Sequence, residues 1–274
     1  MIPDITNSPV AEMAPAVASS DLLPSPYYDA DGITLYCGDA LSIAPLLNHC
    51  DAIVTDPPYN ETSLEWDVWP AGWPSVMAPI TRQMWCFGSL RMFWDYRDEF
   101  CRWNLAQEVV WEKHNGSGIH SDRFRRVHEL AIHFYQGEWG TLYKQPPIVA
   151  VDEDRKRNKL IRGRKPAHWG GVEMGKGYDY NGKRLQRSVI SVTSCHGYAV
   201  NETQKPEGII EPLLNYCVPA GGIVLDPFAG SGTVLSVART QGKLAIGIEK
   251  RESQCEEITK RLSQRVLGLE TNNQ

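Results

Sequence analysis

Gly222-Ile223-Val224-Leu225-Asp226-Pro227-Phe228-Ala229-Gly230-Ser231-Gly232-Thr233 sets the fold of this 274-residue chain. An apolar strand ends in a carboxylate and a proline, turns on two glycines, and enters a helical pattern over 234–240. Glycines between a strand and a helix let a ligand come close to the backbone. The next apolar run, Leu244-Ala245-Ile246-Gly247-Ile248, ends in Glu249, and a carboxylate at that strand tip suits the two hydroxyls of a ribose. Strand, glycine turn, helix and strand predict an α/β protein with a doubly wound, mainly parallel sheet.

On either side of this stretch, the spacing predicts strands over 33–36, 52–55, 84–88, 105–111 and 128–135. Helices are predicted over 41–47, 93–103, 206–217 and 252–266. Pro206 suits the first turn of its helix, which places Ile210, Leu213, Leu214 and Cys217 on one face. The glycine turn itself narrows the ligand. A phosphate-binding loop needs Lys-Ser/Thr after its last glycine, and here Thr233-Val234 follows. A dinucleotide fingerprint needs a third glycine that is absent. A nucleoside cofactor without phosphates remains, such as S-adenosylmethionine, whose ammonium and sulfonium favour Asp226.

The second informative stretch is Asp56-Pro57-Pro58-Tyr59, after the apolar run Ala52-Ile53-Val54-Thr55. Two prolines stop the strand and have no amide donors. The residue before each proline is pushed toward extended geometry. The Asp56 carboxylate and the carbonyls of Asp56 and Pro57 then form an acceptor-only cluster beside a flat ring. Such a cluster suits a planar group with an exocyclic –NH2. A plain strand-to-loop exit through a proline turn would use the same residues.

These two stretches resemble the catalytic and cofactor motifs of the DNA amino-methyltransferases. The catalytic motif comes first, as in the circularly permuted β group. Ile33-Thr34-Leu35-Tyr36-Cys37-Gly38-Asp39-Ala40 resembles the strand whose acidic residue meets the cofactor's adenine. Thr203-Gln204-Lys205-Pro206 resembles the motif that closes over its methionine end. Arg126-Val127-His128-Glu129 also sits where many members have a similar stretch. The resemblance covers about residues 27–112 and 195–265. It implies a Rossmann-like methyltransferase fold and S-adenosylmethionine as cofactor. Asp39 and Ala40 are expected at its adenine and Glu249 at its ribose. Asp226, Pro227, Phe228, Gly230, Ser231 and Gly232 are expected around its methionine part, with Lys205 reaching the carboxylate. Asp39 has a rival role as a helix N-cap, and Lys205 as a surface residue before a helix. Asp56, Pro57, Pro58 and Tyr59 are the expected catalytic residues.

Net charge is −5, but the distribution is uneven. Residues 113–187 hold 16 of the 28 Lys and Arg and 8 of the 33 Asp and Glu, so that segment is +8 on an acidic chain. A division of this size predicts a basic face for phosphates. Arg123, Arg125, Arg126, Arg155, Lys156, Arg157, Lys159, Arg162, Arg164 and Lys165 are its candidate contacts with double-stranded DNA. Residues 140–194 lose periodicity and are expected to form a target-recognition insert between the catalytic segments 27–139 and 195–270, after a disordered tail over 1–26. The seven scattered cysteines contain no Cys-x-x-Cys pair, so no metal site is expected. No apolar run is long enough to span a membrane. The expected setting is the cytoplasm of a prokaryote or a phage-infected cell, at the nucleoid. A homodimer and a restriction endonuclease partner are both compatible with the resemblance.

The leading expectation is methyl transfer to the N6 amine of a flipped-out adenine, because an Asp opening the tetrapeptide goes more often with adenine in the resembled group. Cytosine-N4 methylation is the second expectation. A non-catalytic DNA-binding regulator on the same fold is the third. Methylation of RNA or of a protein amide fits less well, since that branch has Asn before Pro-Pro-Tyr and the cofactor motif first.

Overall fold

A computed structural model describes residues 23–117, 121–150, 183–194 and 204–269. The expected tail up to residue 22 and the basic run 155–165 lie outside them. A hairpin opens the chain. Strands β1 (Tyr28–Ala30) and β2 (Ile33–Cys37) turn at Asp31 and Gly32, both with positive φ, the geometry that an Asp-Gly hairpin requires. Next come α1 (Ala40–Ile43), β3 (Ala52–Thr55), α2 (Trp73–Met77), β4 (Gln83–Gly88) and α3 (Leu90–Asp95). The long strands β5 (Asn104–Ser117) and β6 (Arg126–Tyr135) follow, then the short β7 (Ile148–Ala150), β8 (Lys183–Leu185) and β9 (Val189–Ser191). The chain closes with α4 (Glu207–Cys217), β10 (Ile223–Asp226), α5 (Thr233–Thr240), β11 (Leu244–Glu249) and α6 (Glu252–Leu269).

Nine strands form one sheet in the order β1-β2-β11-β10-β3-β4-β6-β5-β9, and β7 pairs with β8 separately. Strands β2, β11, β10, β3 and β4 run parallel. Strand β6 is antiparallel to both β4 and β5. Every residue of β3 and β4 is buried, as expected of parallel strands covered on both faces. On one face Trp85, Phe87, Val54 and Val224 pack beneath Leu213 and Leu214 of α4, Leu235 of α5 and Ile258 of α6. On the other, Met84, Cys86, Ile53 and Leu225 pack beneath Ile43, Trp73, Met77 and Met92. Each of these large side chains contributes about 1.5–3 kcal/mol by leaving water. The expected α/β, doubly wound, mainly parallel architecture is the one observed.

Some elements differ from expectation. The helix expected over 93–103 is instead α3 followed by a 3-10 turn at Arg97–Phe100. The Ser89 hydroxyl accepts from the Met92 amide and starts α3 early, and Tyr96 (φ −107°, ψ 15°) leaves helical geometry. The helix expected over 41–47 breaks into α1 and a 3-10 turn at Ala44–Leu46, where Pro45 has no amide to continue the ladder. Strand β9 lies inside 140–194, yet it joins the main sheet beside Val110–Glu112 of β5.

This topology positions a cleft. From β10 the chain crosses through α5 to β11 on one side. From β3 it crosses to β4 on the other. The order reverses between β10 and β3, and open α/β sheets bind ligands outside the carboxyl ends of the strands at such a point.

Candidate active site

Asp226 ends β10 and Thr55 ends β3, in neighbouring strands. The Thr55 hydroxyl donates to Asp226 Oδ1 at 2.8 Å. The Phe228 amide donates to the same oxygen at 3.2 Å. The two loops that continue from these strands therefore face one cleft of about 1550 Å3, lined by Asp39, Ala40, Asp56, Pro57, Pro58, Tyr59, Asp226, Pro227, Phe228, Gly230, Ser231 and Glu249. Gly232 stands behind this wall. It opens α5 at φ 70°, and a Cβ there would lie 2.9 Å from Ile258. Only glycine combines that conformation with that contact.

At the β3 end, Asp56 belongs to a group of four charges of which Glu129 and Lys205 are buried and Asp56 and Lys113 partly so. Lys205 Nζ pairs with Asp56 Oδ2 and lies 3.3 Å from Glu129 Oε2. Lys113 Nζ pairs with Glu129 Oε1. Two carboxylates and two ammonium groups thus balance where water is scarce. Burial and Glu129 push the Asp56 carboxyl up against the pull of Lys205, and the net shift is upward. For Glu129, burial is outweighed by Lys205 and Lys113, which hold it down at about 2. Burial disfavours the Lys205 charge, but Asp56 and Glu129 more than compensate, and its pKa lies above the usual lysine value. Lys205 therefore keeps its proton. Asp56 Oδ1 is buried and has no partner among the described residues. An uncompensated buried carboxylate oxygen is costly, so one on a residue that lines a cleft is an acceptor to which a bound donor adds stabilisation.

The loop after Tyr59 is shaped by Asp67. Its Oδ1 accepts the amides of Tyr59 (2.8 Å) and Asn60 (2.9 Å). Its Oδ2 accepts the amides of Glu61 (3.0 Å) and Thr62 (2.7 Å) and the Thr62 hydroxyl. Burial pushes the Asp67 carboxyl up, but the Thr62 hydroxyl and these amides hold it below the usual range. A carboxylate that gathers successive amides forces them to converge, which allows Asn60 its positive φ of 59°. Trp69 stacks on Tyr96 at 4.0 Å and donates to Glu99, closing the far side of the loop.

The β10 end is acidic and braced. Burial pushes Asp226 up to about 7, against the Thr55 and Phe228 hydrogen bonds. Glu249 accepts the Gly230 amide at Oε2 and the Arg251 amide and guanidinium at Oε1. Asp39 caps α1 through the Leu41 amide and also accepts from Lys250, so it fills its structural role while lining the cleft. Asp39, Asp56, Asp226 and Glu249 all line the cavity, three of them already paired with Lys250, Lys205 and Arg251.

The chain from residue 50 to 260 matches the family model described as DNA methylase. The chain belongs to the DNA methylase family. It is 27% identical over 265 residues to the type II methyltransferase M.ScaI of Streptomyces caespitosus, a match spanning 84% of this chain and 81% of that one. It is also 33% identical over 91 residues to the type II methyltransferase M.HinfI of Haemophilus influenzae, spanning 30% of this chain and 25% of that one. Its fold is similar to that of the M1.HpyAVI–SAM complex (TM-score 0.57, 22% identity), covering 84% of this chain and 99% of that one. The PvuII DNA methyltransferase, cytosine-N4-specific, is similar to the same degree (TM-score 0.57, 14% identity; 86% and 88% covered).

In this DNA methylase, Lys205 is buried rather than superficial, and its amine meets Asp56 and Glu129. Arg123, Arg125 and Arg126 lie on the cleft rim. Arg155, Lys156, Arg157, Lys159, Arg162, Arg164 and Lys165 lie outside the described residues. Three contributors escaped the sequence reading: Glu129 as a partner of Lys205, Lys113 as a partner of Glu129, and Asp67. The signal for Glu129 was present, since it stands alone as a carboxylate at the edge of the apolar run Leu130-Ala131-Ile132.

Proposed function

We propose that this DNA methylase transfers a methyl group from S-adenosylmethionine to the exocyclic N6 amine of an adenine rotated out of duplex DNA. One observation carries the reading. Asp56 lines the cleft, with one carboxylate oxygen held by Lys205 and the other buried and unpartnered among the described residues. That is the arrangement needed to accept a hydrogen from an amine.

The cleft residues fit the cofactor. Asp226, Phe228 and Gly230 would hold its methionine part, Glu249 its ribose, and Asp39 with Ala40 its adenine. When bound, it supplies an electrophilic methyl group on a positive sulfur that departs as a neutral thioether. The protein's part is to make the target amine reactive. Asp56 Oδ1 accepts one amine hydrogen, and the Pro57 carbonyl accepts the other. Tyr59 stacks on the base. Two acceptors draw the nitrogen toward tetrahedral geometry and localise its lone pair. As the amine acquires positive charge, Asp56 stabilises it electrostatically and takes the surplus proton at Oδ1, whose affinity for protons burial has raised. The paired amine is out of reach inside a duplex, so the base turns out at a cost of a few kcal/mol.

A cytosine N4 amine presents the same two hydrogens, and the similarity to a cytosine-N4-specific enzyme makes it the second reading. Purified protein incubated with cofactor and unmethylated genomic DNA, followed by nucleoside mass spectrometry and modification-sensitive sequencing, decides between them. N6-methyladenine at a defined sequence is expected. N4-methylcytosine would transfer the assignment to the second reading, and unmodified DNA would refute both.

A further inference from the structure

Phe124 is fully solvent-exposed, and among the described residues no ring contact reaches it. A phenyl group left in water forgoes the stabilisation that burial would give it. Its neighbours are arginines: the sequence reads Arg123-Phe124-Arg125-Arg126. All four residues line the mouth of the cleft that contains Asp56 and Tyr59.

The position of the ring is tied to the catalytic loop. Phe124 lies just before β6, the strand that carries Glu129 into the Lys205–Asp56 group. Glu129 is five positions beyond Phe124, a reach of at most about 17 Å at strand rise. Two residues after the ring, Arg126 pairs with Glu61 at 3.0 Å. Glu61 also accepts from Ser89 and donates its amide to Asp67, the residue that gathers Tyr59. A clasp therefore joins the Phe124 segment to the loop that would hold the target base. Arg123 rests on the exposed carboxylate of its neighbour Asp122, a partner that a phosphate can replace, while Arg126 is anchored on the largely buried Glu61.

We propose that Phe124 enters the base stack of duplex DNA at the place vacated by the target nucleotide, with the flanking arginines on the adjoining phosphates. Apolar side chains inserted between base steps stabilise a distorted duplex, and arginines beside them supply a sequence-independent hold. The cleft has room for this division of labour. Its volume of about 1550 Å3 exceeds the roughly 300–1,000 Å3 of a single-ligand pocket, leaving space for a base beside a cofactor while the ring stays at the mouth. The assignment rests on the proposed function, and its test fails separately from that reading.

The test compares wild type, Phe124→Ala and Phe124→Trp in the full chain, using radiolabelled cofactor and a duplex that contains the methylated sequence. A second duplex carries a mismatch opposite the target base. On the paired duplex, Phe124→Ala is expected to lose at least about tenfold in kcat/KM while Phe124→Trp stays within about threefold of wild type. The mismatched duplex, which already costs less to open, is expected to return Phe124→Ala to within about threefold of wild type. Cofactor affinity should be the same in all three proteins. A loss under threefold on the paired duplex, an equal loss on both duplexes, or a parallel loss of cofactor affinity would each overturn the assignment. A wild type that methylates DNA normally beside any of those results leaves the proposed function standing.

Discussion

The Thr55 hydroxyl donates to the Asp226 carboxylate across 171 positions of sequence, joining the strand that precedes the catalytic loop to the strand that precedes the glycine turn. The bond also sets a pH dependence. Asp226 is pushed up to about 7 by burial. A bound cation favours its charged form. Cofactor affinity should therefore be full above about pH 7 and weaken as pH falls through it. Removing the hydroxyl with Thr55→Val takes away a bond that holds the pKa down, so the midpoint should move upward. Calorimetric titration of cofactor between pH 5.5 and pH 9 checks both. On the stability of the fold this group acts in the opposite sense. The folded carboxyl binds a proton more tightly than the unfolded one, so its contribution to stability grows as pH falls from about 7 toward 4.

Lys205 stands between Asp56 and Glu129. Lys205→Met leaves two buried carboxylates facing each other and should destabilise the protein by about 3–5 kcal/mol. Glu129→Gln removes one of the two charges that Lys205 balances. Methyl transfer should fall in Lys205→Met, because Asp56 then loses the ammonium that holds its Oδ2. In the double variant Lys205→Met/Glu129→Gln, the losses in stability should sum to less than the separate effects, since one interaction is counted twice. Chemical denaturation of the four proteins closes the cycle, and strict additivity would deny the coupling.

Asp67 gathers four amides and a hydroxyl. Asp67→Asn replaces an ionic acceptor by a neutral one with half the acceptor capacity, which should cost about 2–3 kcal/mol. It should also lower kcat more than cofactor affinity, because the displaced segment carries Tyr59. The wild-type carboxyl titrates below the unfolded value of about 3.9, so its contribution is complete above that pH and is lost as pH falls beneath it. The Tm difference between wild type and variant should therefore narrow below about pH 4.

The basic run 155–165 is expected to act on DNA by charge alone. Replacing Arg155, Lys156, Arg157 and Lys159 by Glu should weaken duplex binding across all sequences and reduce the salt slope by about 0.9 for each phosphate no longer neutralised. Binding isotherms at several salt concentrations show this. An unchanged slope would remove the run from the interface.

The parts legible in the sequence were those with local rules. An apolar run ending in Asp226 and a glycine turn announces a strand, a ligand and a helix at once. The two prolines after Asp56 stop β3 wherever it lies in the sheet. Lys205 was legible only as a motif residue, because whether a lysine before Pro206 points to water or inward depends on where α4 docks. Glu129 and Lys113 meet Lys205 through strands β5 and β6, and no spacing rule relates 113, 129 and 205. Asp67 acts within a loop that has no period, on residues five to eight positions away. The Asp31-Gly32 hairpin carried a readable turn signal, but β1 is only three residues long.

All of the proposed chemistry depends on Asp56 Oδ1 accepting a hydrogen of the target amine. Single-turnover methyl transfer by Asp56→Asn, measured beside its cofactor affinity, isolates that step. The substitution keeps the shape and removes the charge that balances a developing cation. A rate at least about a hundredfold below wild type is expected, with cofactor affinity within about threefold. A variant that transfers methyl groups at near the wild-type rate would refute the role given to Asp56.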